Sequence, residues 1–91
     1  MAVKEMPQTS EVTRLMPLYK VLLHNDDVNY AGYVVHVLQM IFSLEKQEAD
    51  RIMTEAHNSG VALVCVEPLE RAELHKDQLQ SCNLTSTIEP E

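Results

Sequence analysis

The chain has 91 residues with 14 acids against 7 bases, a formal charge of −7, which bounds it to one small domain with a modest core. No Lys/Arg cluster that could follow a phosphate backbone is present, which argues against nucleic acid as a partner. Aromatics are 4% of the chain while hydrophobic residues are 45%, so the core must come from Val, Leu, Ile, Met and Ala.

Residues 1–17, "MAVKEMPQTSEVTRLMP", carry no sustained hydrophobic period and read as a flexible N-terminal extension, with the domain occupying 18–91. They show neither an apolar signal core nor an Arg-rich amphipathic bias, and no apolar run approaches the length of a membrane span, so a cytoplasmic bacterial protein is expected. Cys65 and Cys82 form no CxxC pair and fit a reducing compartment.

After Pro17, Tyr19, Val21 and Leu23 alternate with Lys20, Leu22 and His24 in the period of a strand. That strand stops at Asn25-Asp26-Asp27, residues suited to a turn and a helix cap. From about Ala31 to Phe42, Val34, Val37, Leu38 and Ile41 lie on one face of a helix, capped by Asp27 or Asn29. A second helix follows with Ala49, Ile52, Met53 and Ala56 inward, Ser43 as its N-cap, and "HNSG" as its exit with Gly60 in the left-handed conformation.

"VALVCV", Val61 to Val66, is apolar and β-branched and reads as a central strand. Pro68 fits the first turn of a third helix running to about Gln80, with Leu69, Ala72 and Leu79 as a weak inner stripe. "LTSTI" gives a last strand in which Leu84, Ser86 and Ile88 alternate. The order β-α-α-β-α-β predicts an α+β two-layer sandwich, its three-stranded antiparallel sheet covered on one face by three helices.

Asn25, Asp26, Asp27 and His57 are the residues with chemistry to offer. Two carboxylates and an imidazole can hold a metal, but no HxxxH or CxxC pair supplies the local spacing of a zinc site. Acid–base catalysis lacks a phosphate loop and a nucleophile elbow. Cation recognition is the third possibility: an Asp carboxylate, an Asn carbonyl and an imidazole nitrogen accept three hydrogen bonds, and an ammonium donates three. Ala31, Val34, Met53 and Ala56 would place an apolar cavity beside it, although each taken alone is equally a core residue.

The stretches "YKVLLHNDD", "VVHVLQMIFS" and "MTEAHNSGVALV" resemble the ClpS adaptors, which bring proteins bearing N-degrons to Clp-type AAA+ unfoldases; the resemblance spans about residues 18–88. It implies that Asn25, Asp26 and His57 bind the free α-amino group of a substrate. Asp27 would support the loop and the adjoining peptide backbone. The first side chain would enter a pocket formed by Asn29, Ala31, Val34, Met53, Ala56 and Leu84. The implied protein is a monomeric, non-enzymatic adaptor without cofactor or metal, whose partners are N-degron substrates and a ClpA- or ClpC-type unfoldase.

Three departures from the family pattern stand out. Met is common at the position of Ala31 and Val at that of Ala56, so the pocket should be wider. The region between Glu70 and Leu84 is shorter than in many relatives. His75 occupies a position where Lys is frequent on the unfoldase-facing surface. Alternatives from other classes are a small metal-dependent hydrolase using Asp26, Asp27 and His57, and an interaction domain resembling that of the ribosomal stalk protein.

Overall fold

The computed structural model describes residues 16–91; most of the expected extension, 1–15, lies outside them. The elements run β1 (Leu18–His24), α1 (Ala31–Phe42), α2 (Lys46–Ser59), β2 (Val61–Pro68), α3 (Leu69–Ser81) and β3 (Ser86–Pro90). Both sheet pairings are antiparallel and the strand order is β2-β1-β3. The expected α+β sandwich is therefore the observed one.

The place of β2 differs from the expectation. An apolar run with no polar alternation suggests a strand buried on both faces, yet β1 is the central strand and β2 an edge. Val61 and Leu63 are 37% and 42% exposed; among the described residues, no helix covers the face on which they lie. The regular alternation of β1, by contrast, belongs to the centre: Val21 and Leu23 are buried toward the helices.

β2 also contains an irregularity that sequence reading missed. Val21 pairs with Cys65 but Leu22 pairs with Leu63, so Val64 is an extra residue, a β-bulge. Beyond a bulge the inward and outward positions exchange. Ala62 opposite Leu23, Cys65 opposite Val21 and Glu67 opposite Tyr19 consequently share the helix-facing side of the sheet.

On the helical layer, α1 contributes Val35, Val37 and Leu38, α2 contributes Ala49, Ile52 and Ala56, and α3 contributes Ala72 and Leu79. Val34 and Ile41 are only partly buried against this cluster. The fully buried Leu38, Ile52 and Leu79 contribute about 1.5–3 kcal/mol each by leaving water. Exposed pairs such as Lys46–Asp50, 2.9 Å apart, add only about 0.2–1 kcal/mol each. The core holds the fold.

Helix boundaries follow local chemistry, with several corrections. Ser43 does not open α2; it closes α1 in the left-handed conformation, φ 56°, its N–H donating to Gln39 C=O. Glu45 precedes α2, and no side chain caps either helix. Pro68 ends β2 and stands just before α3 rather than within its first turn. On α3, Leu69 is 40% exposed, and the third buried position belongs to His75. β3 begins at Ser86, so Leu84 is buried in the approach to it rather than within the strand.

His75 thus corrects the expectation of a surface position. It is 8% exposed, its ring lies 4.6 Å from that of Phe42, and its Nδ1 is hydrogen-bonded to Glu67 Oε2. An imidazole turned into the core needs such a partner.

Candidate functional site

The turn after β1 is built by Asp26. Its Oδ1 accepts the backbone N–H of Val28 at 2.9 Å and of Asn29 at 3.1 Å, an arrangement that folds the chain back on itself just before α1. The Asn29 amide donates to Asp26 Oδ2 at 3.1 Å and to the Asn83 C=O at 2.9 Å. Asn29 therefore ties the turn to the exit of α3.

A second tie brings α2 to the same place. Gly60 ends α2 at φ 90°, its N–H donating to Ala56 C=O, and its own C=O accepts the Asn25 N–H at 3.0 Å. A left-handed stop of this kind suits glycine because no Cβ meets the carbonyl. The last turn of α2, with His57 on it, is thereby anchored beside the end of β1.

These ties enclose a cavity of about 290 Å³. Asn25, Asp26, Asp27 and Asn29 come to it from the turn, Ala31 and Val34 from α1, Met53, Ala56 and His57 from α2, and Leu84 from the approach to β3. Every residue singled out from the sequence for the site lines this one cavity. The spacing explains the grouping on the helices: 31 and 34, and 53, 56 and 57, are neighbours on one face.

Tyr30 lines it as well, and so do Leu23 and His24, which were not foreseen. Their positions adjoining the Asn25–Asn29 turn were the available signal. His24 is fixed by a 2.7 Å hydrogen bond between its Nε2 and Thr87 Oγ1. Asp27 is exposed and makes none of the hydrogen bonds that fold the turn; the loop support expected of it comes from Asp26.

Desolvation acts to raise the pKa of Asp26, but the N–H groups of Asn29 and Val28 and the Asn29 amide outweigh it and hold the carboxyl below its usual 3.8. Asp26 is then an anion at neutral pH. Its Oδ1 is crowded by three donors, whereas Oδ2 accepts from Asn29 alone. A carboxylate oxygen has two lone pairs, so Oδ2 retains one. Polar acceptors and an apolar wall in one cavity suit a ligand that is cationic at one end and apolar at the other.

A family model described as "ATP-dependent Clp protease adaptor protein ClpS" matches residues 14–87. The chain belongs to the ClpS family. The Gloeobacter violaceus ClpS adapter is 47% identical over 92 residues, covering 100% of this chain and 99% of the relative. The chloroplastic adapter CLPS1 of Chlamydomonas reinhardtii is 48% identical over 75 residues, 81% of this chain and 46% of that longer protein. Agrobacterium tumefaciens ClpS2, whose structure is bound to L-phenylalaninamide, superposes with a TM-score of 0.78 at 34% identity, over 82% of this chain and 98% of that one. ClpS proteins are adaptors, not enzymes, and this chain is a Clp protease adaptor. No helix among the described residues is long and apolar enough to cross a membrane.

Proposed function

We propose that this adaptor recognises N-degrons: it binds the free α-amino group and bulky hydrophobic first residue of substrate proteins and delivers them to a ClpA- or ClpC-type unfoldase. Asn25, Asp26 and His57 take the ammonium, Asp27 meets the adjoining peptide backbone, and the first side chain enters between Asn29, Ala31, Val34, Met53, Ala56 and Leu84. Leu, Phe, Tyr and Trp are the fitting first residues, and the adaptor works as a cytoplasmic monomer. The observation that carries this reading is the convergence of an ionised carboxylate, further acceptors and an apolar wall on one 290 Å³ cavity. L-Phenylalaninamide, held by the Agrobacterium relative, has the same two features, a free α-amine and an apolar side chain.

The two parts of the ligand contribute on similar scales. Burying a Leu or Phe side chain is worth about 1.5–3 kcal/mol, and a hydrogen bond to a charged group about 1.5–3 kcal/mol. The test is a binding survey of peptides differing only at the first residue, each with a free and an acetylated amine. Acetylation, or Asp26→Ala, is expected to weaken binding at least about tenfold, the equivalent of roughly 1.4 kcal/mol. Equal affinity for both peptide forms would overturn the reading.

The metal-hydrolase alternative finds no support in the geometry. Among the described residues, the group of His, Cys and carboxylate side chains close enough to share a metal is Cys65, Glu67 and His75, not Asp26, Asp27 and His57.

A further inference from the structure

The Val64 bulge turns Cys65 and Glu67 toward the helical layer, where His75 of α3 faces them. One ligand atom from each, Sγ, a carboxylate oxygen and an imidazole nitrogen, lie within 4.8 Å of one another. We propose that Cys65, Glu67 and His75 form a second site on this adaptor that binds one Zn²⁺ ion, with a water from the adjoining cavity as fourth ligand.

The geometry argues for it in three ways. First, the donors come from two elements held rigidly together: Cys65 and Glu67 at i and i+2 on β2, and His75 on α3. Tetrahedral zinc with bonds of about 2.0–2.3 Å keeps its ligand atoms some 3–4 Å apart, so small side-chain rotations suffice. Second, the cluster borders a cavity of about 330 Å³ that Phe42, Leu44 and Arg71 also line; water has access there, and three protein ligands plus a water is a known zinc arrangement. Third, a thiolate and a carboxylate offset the charge of a divalent ion, and a neutral assembly is the form that this half-buried position tolerates. The donor set of S, N and O excludes Mg²⁺ and Ca²⁺, which take oxygen ligands.

Without metal the cluster is a hydrogen-bonded group: Glu67 pairs with His75, and Arg71 Nε lies 3.8 Å from Glu67 Oε1. Burial first, and then the Glu67 carboxylate, push the Cys65 thiol up to about 12, so the thiol carries its proton at neutral pH. Zinc displaces that proton to water as the Zn–S bond forms. His75 meets the ion through Nδ1, the nitrogen now bonded to Glu67, with its proton on Nε2. The bulge is the enabling feature: with a regular β2, Cys65 and Glu67 would face away from α3.

The experiment is a titration of the chelator-stripped full chain with Co²⁺, then with Zn²⁺. The expected result is one Co²⁺ per chain, with the intense visible bands of a tetrahedral site and a near-ultraviolet thiolate-to-metal band, both removed by Zn²⁺. Cys65→Ser should abolish the thiolate band and weaken binding at least about tenfold, while Cys82→Ser leaves both intact. Because His75 is a core residue, Glu67→Gln and a circular-dichroism check of folding accompany it; Glu67→Gln should fold and bind the metal more weakly. A folded wild-type protein without the thiolate band, or a band lost in Cys82→Ser rather than Cys65→Ser, would overturn the proposal.

Discussion

Asp26 combines two tasks in one side chain, folding the turn and presenting a negative charge to the cavity. Because its folded pKa lies below the usual 3.8, its stabilising effect is fully present above that usual value and is lost as pH falls through the lower, folded one. Chemical denaturation of the wild type and Asp26→Asn should show the wild type more stable at pH 6, with the gap narrowing only below about pH 4. A gap that widens on acidification would contradict the sign. Ala31 poses a different question, that of shape. Tyr33 is held away from the space beside it by the hydrogen bond its hydroxyl donates to the Cys82 C=O at 2.8 Å, and Tyr30 lines the cavity only at its mouth, 86% exposed. A small residue at the cavity wall lowers steric discrimination near the ligand Cβ. Ala31→Met should therefore sharpen the preference for Leu and aromatic first residues over Ile and Val, at the scale of one or two methylenes, about 1–3 kcal/mol or roughly ten- to two-hundredfold. An unchanged ranking of first residues would remove Ala31 from the pocket.

At the scale of elements, the site depends on two ends meeting, the end of β1 and the end of α2. Gly60 joins them: it holds φ 90°, and the Asn25 N–H bonds to its carbonyl. Beyond its chain neighbours, a Cβ there would meet no atom within 4 Å, so Gly60→Ala tests the local backbone conformation. It should cost about 1–2 kcal/mol of stability, the left-handed penalty of an L-residue, measured as a lower urea midpoint with unchanged slope. If the strain is relieved by moving the turn, peptide affinity should fall with it. The two ends were readable separately, "HNSG" as a helix stop and "NDD" as a turn, but their meeting was not, because it depends on the Asn25–Gly60 backbone hydrogen bond. α1 was readable too, since its periodicity spans three turns. The sequence was least informative where tertiary pairing decides. An apolar run cannot say whether a strand is central or at an edge, and nothing local marks Val64 as a bulge, so β2 was misplaced and Cys65 left unassigned. His75 was misjudged for a related reason: the apolar stripe of α3 is weak, and a histidine is turned inward only because Glu67 waits across the layer to accept it.

For the whole molecule, the proposed function separates binding from delivery, and the extension expected at residues 1–17 is the segment proposed for delivery. Among the described residues, those that line the cavity fall between Leu23 and Leu84. A folded domain that already holds its ligand gains nothing in affinity from a distant extension unless that extension touches the ligand. Delivery is another matter: the resemblance to ClpS adaptors implies that an N-terminal extension outside the folded domain is needed to hand the substrate over, and residues 1–17 are proposed to fill that role by engaging the ATPase. Deleting residues 1–17, so that the chain starts at Leu18, should leave peptide affinity within about twofold of the full chain, less than about 0.5 kcal/mol. The same truncation should abolish acceleration of Clp-dependent degradation of a Leu-initiated substrate. Both readouts are needed, the first by anisotropy with a labelled peptide and the second by substrate turnover with the purified unfoldase and peptidase. Loss of peptide binding on truncation would mean that the extension belongs to the site. Full acceleration by the truncated protein would mean that the unfoldase takes the substrate directly from the domain and that the extension is inert.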